Sequence, residues 1–258
     1  MGRLIRFELR KLFRQKSFYI CLIAYVLIML LMNYMTYDSS YSLAKQLGME
    51  LNTREYSGVY GALKAINIGA LGLILGIFTP LLICDDYANG TIRNVLARGY
   101  TKSMVFVSKY IAILTAAVIF VFVGWIAGFL DYAILCQPGL KYLTVDAIAQ
   151  FWMQVLLMMA YASIYFMVAI AIQKLGGSIA VCIMVATMAG TLFIAADLVL
   201  SMRESTLTVS PYWLGNIMNT LVEFDASAKE MGRALICSLC YMGGCVGIGW
   251  LASFKKEY

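Results

Sequence analysis

The sequence predicts an all-α membrane protein, with six transmembrane helices and an N-terminal amphipathic interfacial helix. Three observations carry this expectation. Hydrophobic residues make up 62% of the 258 and charged residues 13%, whereas a soluble domain is nearer half apolar and a quarter charged. The apolar residues gather in runs of about 20, long enough to cross roughly 30 Å of hydrocarbon as helix. Within lipid each segment must satisfy its own backbone, which a helix does, and the alternating short strands of a membrane barrel are missing from the sequence.

The chain divides into residues 1–16, a cytoplasmic amphipathic helix, and residues 17–258, a membrane domain of six spans. In the first part Arg3, Arg6, Arg10 and Arg14 fall in one narrow stripe at helical spacing, with Ile5, Leu9, Leu12 and Phe13 on the adjoining face. That pattern suits a helix lying in the headgroup layer, in contact with membrane lipids. The spans are expected at 17–37, 65–84, 111–135, 148–172, 176–200 and 234–254. The first is too long for a signal-peptide core and lacks a small-x-small cleavage site, so it reads as an uncleaved span. Residues 38–64 form a polar loop and 85–109 a basic segment. Residues 136–147 carry the turn pair Pro138-Gly139, and 173–175 make a tight helical hairpin. Residues 201–233 are the longest outward loop. Within it Pro211, Tyr212, Trp213 and residues 214–221 are apolar enough to dip back into the outer interface.

Lysine and arginine placement sets the orientation. Six lie in residues 1–16 and four in the basic segment (Arg93, Arg98, Lys102, Lys109), followed by Lys174, Lys255 and Lys256. Thirteen of the 20 basic residues thus share one side with only Glu8, Asp85, Asp86 and Glu257. That side is expected to be cytoplasmic, with both termini in the cytoplasm and the chain multi-pass in the plasma membrane. The positives are spread over four segments, so the net charge of +6 reads as topology and not as nucleic-acid binding.

Several chemistries are excluded. With no histidine, the commonest general base, metal ligand and Ser-His or Cys-His pairs are all missing. Cys237 and Cys240 form a C-x-x-C inside an apolar run with no second pair, which lacks the ligand set of a zinc site. No phosphate-cradling G-x-x-x-x-G-K-[ST] occurs, nor H-E-x-x-H or G-x-S-x-G. The chain is therefore expected to have no catalytic, cofactor-binding or metal residues of its own.

The basic segment carries the most information. Asn89-Gly90 is a turn pair, Thr91 can cap a helix start, and 92–97 is a short helical run. Gly99 fits a helix C-terminus, and Thr101 can cap the helix that becomes the third span. A short rigid helix between two strong stops is what docking onto a separate soluble partner requires. The stretch from Asp86 through Gly90, Thr91 and Leu96 to Arg98, followed by Lys102 and Lys109, resembles the type 2 ABC-transporter permease family. In that family an acidic residue precedes Gly-Thr, a short apolar helix, a basic residue and a later Lys before the third span. This chain has Gly99-Tyr100-Thr101-Lys102 where members often show a Pro before a Ser-Arg pair. The resemblance implies a permease paired with a second copy or a related permease, and with two copies of an ABC ATPase subunit that binds ATP and Mg. With the short capped helix and the charges at its ends, this makes Asp85, Asp86, Gly90, Thr91, Arg93, Arg98 and Lys102 the residues expected to couple the permease to that ATPase. It also implies short re-entrant helices before the last span, acting as an outer gate, and export of hydrophobic or amphipathic compounds such as antibiotics or antimicrobial peptides. Export of sodium or another ion, and a membrane sensor or enzyme without transport, are the alternatives.

Three G-x-x-x-G pairs (Gly72/Gly76, Gly124/Gly128, Gly243/Gly247) permit close helix packing, within one subunit or between two copies. Asp131 and Asp197, near the outer ends of the third and fifth spans, and the methionines at 158 and 188 are candidates for a substrate path. The outer side is expected to be net acidic through Asp131, Asp197, Glu204, Glu223, Asp225 and Glu230.

Overall fold

The computed structural model describes residues 1–47, 56–136, 138–202, 208–222 and 227–255. Glu204, Glu223 and Asp225 of the expected acidic outer side lie outside the described residues. The described chain is helical and contains no β-strand. Its first helix, α1 (Gly2–Arg14), turns through a single extended residue, Gln15, into α2 (Lys16–Leu47). The second span is compound: α3 (Gly58–Ala65), a π-helical turn (Ile68–Gly72) and α4 (Leu73–Ala88). A short helix, α5 (Thr91–Ala97), leads to α6 (Lys102–Leu135), and a 3-10 turn leads to α7 (Val145–Ile172). Next come α8 (Leu175–Met202), a 3-10 turn (Ser210–Tyr212), α9 (Leu214–Val222) and α10 (Ala228–Lys255). Six segments are long and apolar enough to cross a membrane: Lys16–Ser42, Gly58–Ala88, Lys102–Leu135, Val145–Ile172, Leu175–Met202 and Ala228–Phe254.

The second span starts earlier than residue 65 because α3, expected as loop, belongs to it. Gly58, Lys64 and Asn67 dilute its hydropathy, yet α3 buries six of its residues. It packs along α6, where a Cβ on Gly128 would stand 2.6 Å from the Ala65 Cβ and from the Gly61 carbonyl oxygen. Gly58, Gly61 and Gly128 are what let these backbones come so close.

Between α3 and the π turn the helix breaks at Ile66, and the break strands carbonyls that water cannot reach. Side chains satisfy them. Tyr25 Oη donates to Ala65 O at 3.0 Å, Gln154 Nε2 to Leu63 O at 3.0 Å, and Asn67 Nδ2 to Lys64 O at 3.3 Å. Asn67 Oδ1 then accepts from Ala70 N at 2.9 Å and starts the next turn. Helices α2 and α7 are thereby pinned to one irregular point.

Helix α7 is the centre of the molecule, packed against α4, α6, α8, α9 and α10. Tyr161, Tyr165, Phe166 and Met158 on it are fully enclosed. Helix α8 fully buries only Ser178 and Cys182, packs Val181, Val185, Ala186, Ala189 and Phe193 partly against the core, and presents much of its other apolar surface outward. An all-round apolar helix so little covered is stable only against lipid or a second apolar chain.

A buried charge lock beside an exposed short helix

Helix α1 is cationic outside and apolar inside, with one exception. Leu4, Glu8 and Leu12 follow each other at four-residue spacing and are buried together, on the face toward α6. Arg3, Arg6, Arg10 and Arg14 remain exposed, with Phe7 and Phe13 among them. Glu8 therefore enters the protein interior, where an unpaired carboxylate is very costly. It is not unpaired: Lys109 Nζ of α6 lies 3.4 Å from Glu8 Oε1.

Lys109 also donates to Asp86 Oδ2, near the end of α4, and Lys11 of α1 donates to Asp86 Oδ1. Glu8, Asp86 and Lys109 are 4%, 2% and 5% exposed, so little water screens them. Two carboxylates and two ammonium groups make a neutral cluster, the arrangement that lets buried charge persist. It clamps three segments at one point: the amphipathic helix, the end of the second span and the start of the third.

Helix α5 begins five residues after Asp86. Asn89 ends α4, and its side chain donates to Asp85 Oδ1 at 3.0 Å. Gly90 then takes a left-handed conformation (φ 64°), and Gly99 another (φ 86°) on the far side, which side chains with a Cβ resist. Between these stops α5 turns Ile92 inward, against Leu4 of α1 and Val105 of α6. Arg93, Asn94, Ala97 and Arg98 face out. Thr101 caps α6, its Oγ1 accepting from Met104 N at 3.3 Å.

Thr91 differs from expectation. It is the first residue of α5, Gly90 occupies the cap position, and no side-chain cap bond forms. The left-handed Gly90 starts the helix by its backbone alone, its carbonyl accepting from Asn94 N at 3.3 Å. A groove of about 320 Å³ runs between α5 and the α7–α8 hairpin, lined by Tyr87, Arg93, Gln173 and Lys174 among others.

Of the expected coupling residues, Gly90, Thr91, Arg93, Arg98, Lys102 and Asp85 sit on or beside α5, with Arg93, Arg98 and Asp85 exposed. Asp86 is enclosed, so its contacts lie with α1 and α6 and not with solvent. Sequence reasoning missed Glu8 and Lys11 as its companions. One signal was available: Glu8 is the only acid in a strongly basic helix and falls in register with Leu4 and Leu12, on the face that must be covered.

The four substrate-path candidates have separate surroundings. Asp131 accepts from Asn33 Nδ2 at 3.0 Å, tying α6 to α2. Asp197 accepts from the backbone amides of Val209 and Ser210 and so holds the turn that precedes α9. Met158 is enclosed in the core, while Met188 is exposed on α8. Above α7, Trp213 stacks on Phe193 with ring centroids 4.9 Å apart and meets Tyr161 edge-on at 5.8 Å. It seats α9 against the bundle, with Leu214, Ile217, Met218 and Leu221 buried. Among the described residues, no group of three His, Cys, Asp or Glu side chains could hold a metal ion.

None of the curated proteins matches the chain. Residues 4–193, from α1 through most of α8, match the family model described as ABC-2 family transporter protein. The short helix between hard stops, the six apolar spans and this match lead to one conclusion: the chain belongs to the ABC-2 transporter family, as a multi-pass membrane permease subunit of an ABC transporter.

Proposed function

We propose that this permease exports hydrophobic or amphipathic compounds, of the antibiotic or antimicrobial-peptide type, driven by ATP that a separate ATPase subunit hydrolyses. Two copies of that ATPase serve two permease copies, or this chain and a related one. The observation that carries the coupling step is the exposed face of α5, set on the charge lock. An ATPase that pushes on Arg93 and Arg98 moves a helix whose inner face is seated on α1 and α6. The buried Asp86 cluster, a few residues upstream, passes that movement to the ends of the second and third spans. Asp85, Gly90, Thr91 and Lys102 complete the docking surface by charge and by punctuation.

The apolar outward surface of α8, with Met184 and Met188 exposed, supports an apolar cargo that reaches its path from the membrane. Gln154, one of the polar groups within the spans, donates through Nε2 to the Leu63 carbonyl. The α9 segment, seated by Trp213 and by Asp197, serves as the outer gate. Asp131, tied to Asn33 of α2, and Met158, enclosed in the core, are the further candidates for the path.

The test is co-purification of the permease with its ATPase, followed by ATPase assays over peptides, drugs and ions. Reversing both exposed charges (Arg93→Glu with Arg98→Glu) is expected to reduce recovered ATPase by tenfold or more, on the order of two lost charge pairs at a protein interface, while the permease still inserts. Full ATPase recovery in that variant removes α5 as the docking element. Stimulation by sodium alone, with none by any amphipathic compound, replaces the cargo proposed here with an ion.

A further inference from the structure

A groove of about 310 Å³ lies along the outer side of α1, lined by Phe7, Arg10, Lys11, Arg14 and Gln15. Its chemistry is lopsided. Three cations line it, and the one acid of the helix, Glu8, is turned inward and held by Lys109. Nothing on α1 therefore offsets the outward positive field of Arg10 and Arg14. Phe7, half exposed at the same groove, supplies an apolar wall beside the charges. Two cations one helical turn apart, next to an aromatic ring at the foot of a membrane span, match a phosphate with acyl chains attached. A free phosphate has no use for the ring, and a neutral lipid none for the arginines.

We infer that this groove is a binding site for the phosphate headgroup of an anionic glycerophospholipid in the cytoplasmic leaflet. Arg10 and Arg14 grip the headgroup, and Phe7 rests against the acyl region. Lys11 gives the site a route to the transport machinery. It is partly exposed at the groove, and its ammonium donates to Asp86 of the charge lock. A bound headgroup and Asp86 thus share one cation, so the lipid acts on the cluster that carries movement from α5. The leaflet assignment rests on the cytoplasmic placement of α1 proposed above; the binding chemistry does not.

The test uses the purified full chain and native mass spectrometry, with phosphatidylglycerol and phosphatidylcholine offered at equal concentration. The chain is expected to retain phosphatidylglycerol preferentially. Each basic residue near an anionic lipid surface is worth about fivefold in affinity, so Arg10→Gln with Arg14→Gln should weaken retention about thirtyfold. Arg10→Lys with Arg14→Lys, which keeps the charge, should retain most of the preference and shows that the loss is not misfolding. Equal retention of the two lipids overturns the proposal, as does a preference that the glutamine variant leaves intact. So does displacement of the lipid by inorganic phosphate at matched concentration, which marks the groove as a free-anion site. Sidedness is read separately, by the labelling of Ser103→Cys described below. If the lipid binds but that cysteine is labelled from outside, the site stands and the leaflet assignment falls.

Discussion

At the scale of single residues, Lys109 has the hardest task. It holds two carboxylates that belong to different helices, in a place water hardly reaches. Removing one partner from a buried ion cluster costs about 3–5 kcal/mol, because the remaining charges stay buried without compensation. Lys109→Met is therefore expected to lower the melting temperature of the detergent-purified chain sharply. Adding Glu8→Gln, which restores neutrality, should recover part of the loss. A melting temperature unchanged in Lys109→Met would show that the cluster is hydrated and contributes little. The sequence displayed Asp86 and Lys109 as members of one motif, but it could not show that they face each other. Partnership between charges 23 residues apart depends on where the intervening helix folds back, and composition holds no record of that. Gly90 and Gly99 were readable, because a positive φ has a residue preference of its own. Thr91 was misplaced by one position, since a left-handed glycine and a threonine hydroxyl can both begin a helix.

At the scale of elements, the glycine pairs separate into two kinds. Gly124 lies against the Tyr25 ring, and Gly128 against α3, so both are packed inside one subunit. Gly243 and Gly247 on α10 meet nothing within 4 Å. Gly128→Leu forces a side chain into backbone and is expected to destabilise the chain by about 1–3 kcal/mol, the usual cost of overpacking. Gly247→Leu should leave the melting temperature of the single chain unchanged. If α10 meets a second permease, it will instead weaken dimer recovery in crosslinking. Equal thermal loss in both variants would mean that the α10 face is covered in a way the isolated chain does not show. Helices α2, α6, α7, α8 and α10 were readable from apolar runs, with ends displaced because caps and polar extensions lie outside the hydrophobic stretch. Helix α3 was not readable. Its eight residues include two glycines and a lysine, and its burial comes from contact with α6, a long-range effect that no local window contains.

At the scale of the whole molecule, the charge lock, α5 and the basic residues 85–109 all lie at one end of the bundle, while α9 and the Asp197 turn lie at the other. That polarity agrees with the excess of lysine and arginine at the α1 end, from which both termini are expected to be cytoplasmic. With the exposed Cys136 and Cys240 first replaced by serine, Ser39→Cys in intact cells should react with a membrane-impermeant maleimide. Ser103→Cys, at the start of α6, should react only after the cells are opened. Labelling of Ser103→Cys from outside would invert the topology, and with it the side on which an ATPase must dock.

The lock also dictates an order of events during synthesis. Asp86 leaves the ribosome 75 residues after Lys11, and Lys109 later still. At roughly 5–20 residues per second, α1 waits about 4–15 s for its first partner. Throughout that interval Glu8 has no buried place to go, and the helix can rest only on the lipid surface. It is made first and seated only after α6 has begun to emerge. Closing the cluster is thus a checkpoint partway through biogenesis, reached before the last three spans are made and only by chains whose second and third spans are correctly threaded.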